Sequence, residues 1–388
     1  MDKVVVTVDE LKKMIRNNEE DKIDEIDIVT SATCGIMSGT MAVFYIPIGE
    51  RFRKAEKIYM NGIEGHVGPC PNEFLGSVDA VVFGTTYNGN YGGGFLFKDL
   101  IAGKEVDVKV ESEGKTFEKT LTLDEIPTAR MIGTRMAFKN YVAVTNLGDP
   151  VKTIFHRRML QKGEVSFSGC GELNPLQNMK VDEKELLGKR ILLNGSEGVI
   201  LGFGTRHSEK KPNIMISADM HEMDPYYLGG FITSGGVEIF NTIAVPIEVN
   251  EENKEYLKTL DEDIGLPLTN VIGREIIDNG KYSEAWEGAE FRPRVNVHRC
   301  RNCDNCNAEK MCPTKAIKRI DHLGGRRLPN EDCVGCGVCV DSCPYGIYQM
   351  KRNSVLRIPV TCRQSDRERA LKLAKELKKR IEKGEFKP

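Results

Sequence analysis

At 388 residues the chain exceeds one ordinary core, and a typical ~100–200 residues per domain suggests two or three units. Hydrophobic residues make up 40% and charged residues 29%, which excludes a disordered chain. The longest apolar run, Met41 to Ile48, is broken by Pro47 and falls far short of the ~20 residues that cross a bilayer, so no membrane partner is expected. Met1 leads into a charged, strand-like stretch rather than an apolar leader, and a cytoplasmic location is expected.

The net charge of −2 hides an asymmetry. Residues 1–291 hold 32 basic and 46 acidic side chains, whereas residues 292–388 hold 23 and 11. A basic tail can mean nucleic acid. The same cations can instead balance buried anionic groups within the protein, and this reading is preferred, with no nucleic-acid partner.

In chain order, Val4 to Thr7 reads as a strand entering a helix through a capping box of Thr7 and Glu10. Asp27 to Thr30 reads as a second strand running into a small-residue loop, Ser31-Ala-Thr-Cys-Gly35, of the kind that lets backbone approach a ligand. Gly-punctuated β stretches follow at 78–84, 104–110, 189–204 and 213–218, giving an α+β chain. Residues 286–299, around Pro293, read as a connection to a cysteine-rich module. A basic, solvated helix over 366–383 closes the chain. Ser365 and Glu368 form its expected capping box, and Ala370, Ala374, Leu377 and Ile381 form an apolar face that docks on the protein itself.

Eight of the twelve cysteines form one pattern: Cys300-x₂-Cys303-x₂-Cys306-x₅-Cys312-Pro313, then Cys333-x₂-Cys336-x₂-Cys339-x₃-Cys343-Pro344. This is the bacterial two-cluster ferredoxin spacing with two extra residues in its first copy. Three close thiolates wrap one face of a [4Fe–4S] cube and the fourth ligand comes from the other motif. Cys300, Cys303, Cys306 and Cys343 are therefore expected to hold one cluster, and Cys333, Cys336, Cys339 and Cys312 the other. Zinc also suits paired CxxC units, but the order of the eight cysteines and both Cys-Pro steps follow the cluster pattern. Such a module carries single electrons and implies a low-potential electron donor, with the chemical partner in the residues ahead of it.

Those residues lack Walker A, G-x-G-x-x-G, H-E-x-x-H, G-x-S-x-G and the Cys-x₃-Cys-x₂-Cys of radical enzymes. Three cysteines instead sit in Gly-flanked turns: Cys34, Cys70 and Cys170. A buried cysteine is often only a small hydrophobe. Together they suggest either a third [4Fe–4S] cluster with one iron open to sulfide, or a persulfide on one cysteine resolved by another. Gly92, Gly93 and Gly94 suit an anion cradle, though glycine clusters are more often turns. His156, Arg157 and Arg158 suit a carboxylate or sulfonate, though a solvated basic run is the commoner explanation. Glu172 in the Cys170 block is a further substrate-binding candidate. His207 and His221 suit proton transfer, against the commoner structural histidine.

Thr30-Ser-Ala-Thr-Cys-Gly-Ile-Met-Ser-Gly39, Ser168-Gly-Cys-Gly-Glu-Leu-Asn-Pro175, Gly202-Phe-Gly-Thr-Arg-His207 and Ala218-Asp-Met-His-Glu-Met-Asp-Pro225 resemble the blocks of the archaeal homocysteine-biosynthesis family. With the cysteine-rich module behind them, the chain resembles a methanogenesis-associated branch. The resemblance implies a large mixed α/β catalytic domain over 1–285, a small ferredoxin-like domain over 292–361 and a C-terminal helix over 365–388. It implies reductive thiol formation from an aldehyde, a sulfide or persulfide donor and two electrons. Sulfoacetaldehyde, leading to coenzyme M, is the favoured substrate, and aspartate semialdehyde, leading to homocysteine, the other. Where the family has a nucleophilic cysteine after Gly-x-Met this chain has Ser38, and a second family cysteine near residue 116 is absent. Cys34 and Cys170 stand where the family has none. The contrasting reading is a non-catalytic iron–sulfur carrier that docks on a larger redox complex. The sequence leaves the oligomeric state open.

Overall fold

The computed structural model describes residues 3–68, 71–137, 141–169, 186–208 and 213–388. Strands dominate a mixed α/β architecture. Among the described residues, no helix is long and apolar enough to cross a membrane.

The element on which the rest is built is the Ile28–Ile36 strand. The stretch expected to be a loop, Ser31 to Gly35, lies inside it. The reason is burial on both faces: Val5–Thr7 runs parallel along one edge and Val237–Glu248 antiparallel along the other, while the C-terminal helix packs across it. A strand covered on both sides shows no polar/apolar alternation, so its small residues read as a loop. The hydroxyls inside it are satisfied locally, as where Thr30 donates to the Ala374 carbonyl at 3.0 Å.

From this strand the large sheet runs through Val237–Glu248, Arg190–Leu193, Ser196–Phe203, Asn213–Asp219 and Thr128–Ala137 to Thr40–Pro47. Five strands thus separate Ile28–Ile36 from Thr40–Pro47. The chain nevertheless joins these two with residues 37–39, a reach of at most ~14 Å. The sheet must therefore curl back on itself, and its apolar interior is filled by Phe44, Ile46, Met131, Ile216 and Ile243. The expected β stretches appear as Ser77–Phe83, Val106–Ser112, the Arg190–Leu193/Ser196–Phe203 hairpin and Asn213–Asp219. The Thr7–Glu10 capping box is present, with bonds of 2.8 and 3.1 Å.

A second sheet joins strands from the middle of the chain to strands that follow the cysteine-rich segment. Ile358–Arg363, which follows the cysteine-rich segment, pairs parallel with Val165–Ser168. The segment then continues across to the first sheet: Gln364 N donates to Phe167 O at 2.9 Å, and Ser365 bridges Gly35. Val334, Val338 and half-buried Cys336 share one apolar cluster with Phe167, Tyr282 and Trp286. The sequence-based expectation of separate cores is therefore corrected.

The closing helix, Arg367–Glu382, is capped by Asp366 and not by Ser365: the carboxylate accepts from Glu368 N at 3.1 Å and Arg369 N at 3.4 Å. Its face of Ala370, Ala374, Leu377 and Ile381 is buried as expected, with Leu373 added. Leu377 is fully buried and Lys375 exposed on the same helix. Leu377→Ala should lower unfolding stability by ~2–5 kcal/mol, and Lys375→Ala should stay within about 0.5 kcal/mol of the parent, in denaturant titrations of the anaerobic protein.

Candidate functional site

Cys312 follows the short helix Asn307–Met311, Cys333 and Cys336 lie on one loop, and Cys339 sits in the helix Val338–Ser342. The loop turns at Gly335 and Gly337, both left-handed (φ +64 and +89). A side chain at Gly335 would also strike the Phe291 carbonyl and Arg292, so only glycine fits. Burial raises the thiol pKa values of Cys333, Cys336 and Cys339, and the negative charge of Cys312 raises all three further. The Ala316 amide donates to Cys312 Sγ at 3.2 Å. Cys300, Cys306 and Cys343 converge elsewhere, around Tyr348, whose phenol is raised by burial and then by these cysteines. Cys303 stands half-exposed between exposed Asn302 and Asp304. Cys312 thus lies with Cys333, Cys336 and Cys339, while Cys339 also stands with Cys300, Cys306 and Cys343 around Tyr348, and among the described residues no three or more His, Cys, Asp or Glu side chains are arranged to hold a metal ion. The described cysteines form no disulfide.

Two guanidinium groups, those of Arg369 and Arg292, gather on the inner, Cys333 side. Arg369, fully buried, donates to Cys333 O at 3.0 Å and pairs with Asp366. Arg292 pairs with Asp366 through two contacts of 2.8 Å. Arg363 is buried, donates its amide to Cys336 O at 2.9 Å, and is pulled down to about 10 by burial.

Cys34 lies beside this group. It lines a small cavity with Phe231, Phe240, Val334 and Asp366, and its carbonyl accepts from Asp366 N at 3.0 Å. Val334 is the residue after Cys333. Burial pushes the Cys34 thiol up to about 12; Asp366 adds to this, while Arg369 and a hydrogen bond with Thr242 oppose it. Cys362, assigned no role from sequence, is equally buried beside Cys336 and is pushed up to about 12 by burial. Cys70, Cys170 and Glu172 lie outside the described residues. The carbonyl of Gly169 stands 2.9 Å from where a Gly35 Cβ would be, so the chain leading to Cys170 abuts the Cys34 strand.

Along the paired strands, Cys34 faces Thr242 and Ile36 faces Phe240. Side chains alternate with period two, so these pairs share one face. On the partner strand this face continues to Glu238, which is hydrogen-bonded by Ser38 from the turn after Ile36. Burial raises the Glu238 carboxyl, Arg135 partly offsets this, and Glu238 Oε2 is buried without a partner. Sequence reasoning missed Glu238 and Arg135, because only the fold brings them to Ser38.

The remaining candidates divide. Gly93 N and Gly94 N donate to Thr86 O and Gly84 O at 2.8 and 3.0 Å, so their amides are not free to cradle an anion. Gly92, Gly93 and Gly94 instead let the Gly93–Ile101 helix pack closely, and a Gly93 side chain would strike the Phe83 carbonyl. His156 is fully buried between Arg158 O (3.0 Å) and Thr361 Oγ1 (3.2 Å), which is a structural position. Arg157 and Arg158 are not a solvated run. With Lys152 they line an open cleft walled by Thr233–Gly236 and Met311. Arg157 donates to Lys310 O at 3.0 Å, and Arg158 pairs with Glu164. His207 stacks on Phe203 at 4.5 Å. His221 is tied to Asp219 at 2.7 Å and to Ile126 O at 2.9 Å, a structural clasp.

A family model described as "Homocysteine biosynthesis enzyme, sulfur-incorporation" matches residues 3–387. The chain belongs to this family. The match runs through the cysteine-rich segment as well as the residues ahead of it. An uncharacterized protein of Methanocaldococcus jannaschii is 63% identical over 385 residues, covering 99% of this chain and 98% of its own. The L-aspartate semialdehyde sulfurtransferase of Methanosarcina acetivorans is 31% identical over 305 residues, 74% of this chain but only 60% of that protein. A short C-terminal stretch, 48 residues, is 40% identical to the iron–sulfur subunit of the arsenate respiratory reductase of a Shewanella species. No solved structure matches the chain.

The buried His156 gives this family member a pH signature. Burial, with Arg158 adding, lowers its pKa from 6.5 to about 4. The unfolded state therefore binds the extra proton between these values. The contribution is complete above pH 6.5 and is lost as pH falls towards 4, by roughly 3 kcal/mol at most. His156→Gln should flatten that part of the stability–pH curve in anaerobic unfolding experiments.

Proposed function

We propose that the chain performs reductive sulfur transfer, converting an aldehyde to a thiol with electrons delivered through the cysteine-rich segment. The observation that carries this is the single sheet face bearing Cys34 against the Cys333 loop and, four residues along the partner strand from Thr242 and roughly 13 Å away, Glu238 with Ser38 bonded to it. Family membership supplies the sulfur chemistry, and the short match to an iron–sulfur subunit supports the electron-carrying reading.

The two cysteine groups fit thiolate-ligated [4Fe–4S] clusters in their donor chemistry. Sulfurs crowded into a desolvated place hold their protons tightly unless a metal cluster takes their charge, and guanidinium groups stand ready beside the inner group. When bound, such clusters supply electrons one at a time. The net conversion is balanced: aldehyde, hydrogen sulfide, two electrons and two protons give the thiol and water. The carbonyl oxygen leaves as water and the carbon gains the C–S bond.

Within this scheme Glu238, whose carboxyl pKa burial raises, is the group placed to give a proton to the departing oxygen, and Ser38 orients it. The Lys152, Arg157 and Arg158 cleft receives the anionic end of the substrate, for which sulfoacetaldehyde is favoured over aspartate semialdehyde. Cys34 acts either as a ligand of a third cluster with Cys70 and Cys170 or as the carrier of a persulfide handed over ready-made by a sulfur donor, whose S–S bond then takes two further electrons and protons as the thiol is released.

Anaerobically purified chain given sulfide, a low-potential reductant and sulfoacetaldehyde should yield thiol, and more than with aspartate semialdehyde. Cys34→Ser should abolish the product. Iron should fall from about twelve to about eight atoms if Cys34 is a ligand, and stay constant if it carries a persulfide. No thiol from either aldehyde would overturn the enzyme reading in favour of a carrier.

A further inference from the structure

The two cysteine groups differ sharply in their surroundings. The outer group opens to solvent at Arg301, Asn302, Asp304 and Asn305, and its near cation, Arg327, is paired with Glu309 at 2.6 Å. The inner group is buried and faces more positive than negative charge. Lys98 is matched by Asp332, and Arg352 by Asp341. Arg292 and Arg369 share one buried carboxylate, that of Asp366; Glu368, 3.1 Å from Arg292, is half exposed and screened. Arg157, beside Cys312, hydrogen-bonds only neutral oxygens, Lys310 O and Asn90 Oδ1, among its described contacts.

Burying a guanidinium is costly unless a counter-charge accompanies it. Arg292 Nη1 is buried without a hydrogen-bond partner and lies 2.7 Å from where a Gly335 side chain would begin, directly on the Cys333–Cys336 loop. The Arg369 guanidinium donates to Cys333 O, whereas Arg363 reaches Cys336 only through its own amide and turns its guanidinium to Ala285 O and Asn353. The missing negative charge is therefore placed at the inner cysteines.

Resting on the cluster reading above, we propose that Arg292 and Arg369 are positioning residues that stabilise an added electron at the inner cysteines Cys312, Cys333, Cys336 and Cys339. Each one-electron reduction adds one negative charge with no bond made or broken. The fixed cations lower the cost of that charge, while the burial of the same site raises it. Electrons entering at the solvent-facing Cys300 group are thereby held next to Cys34, where the sulfur chemistry is proposed, rather than returned to solvent.

The test is an anaerobic redox titration of the full chain, followed by electron paramagnetic resonance. Cys303→Ser, on the exposed loop, removes the outer cluster's signal and identifies the remaining wave as the inner one. Arg292→Gln should shift that wave to lower potential and leave the outer wave in place, while Arg292→Lys should restore most of the shift. Loaded protein whose inner wave does not move, or whose waves move together, overturns this inference alone. Protein that binds no iron after reconstitution overturns the cluster reading beneath it as well.

Discussion

The carboxylate of Asp366 is the interaction on which the described architecture turns. It is almost wholly buried, caps the C-terminal helix, and pairs with both Arg292 and Arg369. Its amide meanwhile donates to the Cys34 carbonyl. One residue therefore ties the central strand, the closing helix and the inner cysteine loop together. Removing one partner from such a buried set typically costs ~3–5 kcal/mol, because the other charges are left uncompensated.

This arrangement explains why the cysteine-rich segment does not stand apart. The chain leaves the first part near Trp286, forms the cysteine loops, and returns as Ile358–Arg363 to the same core. Electron-handling modules joined by a flexible tether move relative to their partners. Here shared packing fixes the distance between the inner cysteines and Cys34, which is the condition for passing single electrons to a buried site. The strand face then carries that connection outward to Ser38 and Glu238.

Much of this was legible in the sequence where the signal is local. The cysteine spacing, the Thr7–Glu10 box, several strands and the apolar face of the last helix depend on residues close together in the chain. The misreadings share one cause. Ser31 to Gly35 looked like a loop because a strand buried on both faces needs small residues, and Ser365 looked like a cap because Asp366 takes that role. Gly93 looked like part of an anion cradle, but its freedom from a side chain serves packing against Phe83. The roles of Glu238, Arg292 and Arg369 had no sequence signal, since each depends on partners tens to hundreds of residues away.

The proposed function depends on coupling sulfur transfer to electrons delivered through the cysteine-rich segment. The direct measurement is a single-turnover experiment: fully reduced, anaerobic chain is mixed with sulfide and sulfoacetaldehyde in the absence of further reductant, and bleached cluster absorbance and thiol are followed together. The account predicts recovery of cluster absorbance in step with thiol, about two electrons lost per thiol formed. Thiol formed without loss of electrons, or electrons lost without thiol, would contradict it.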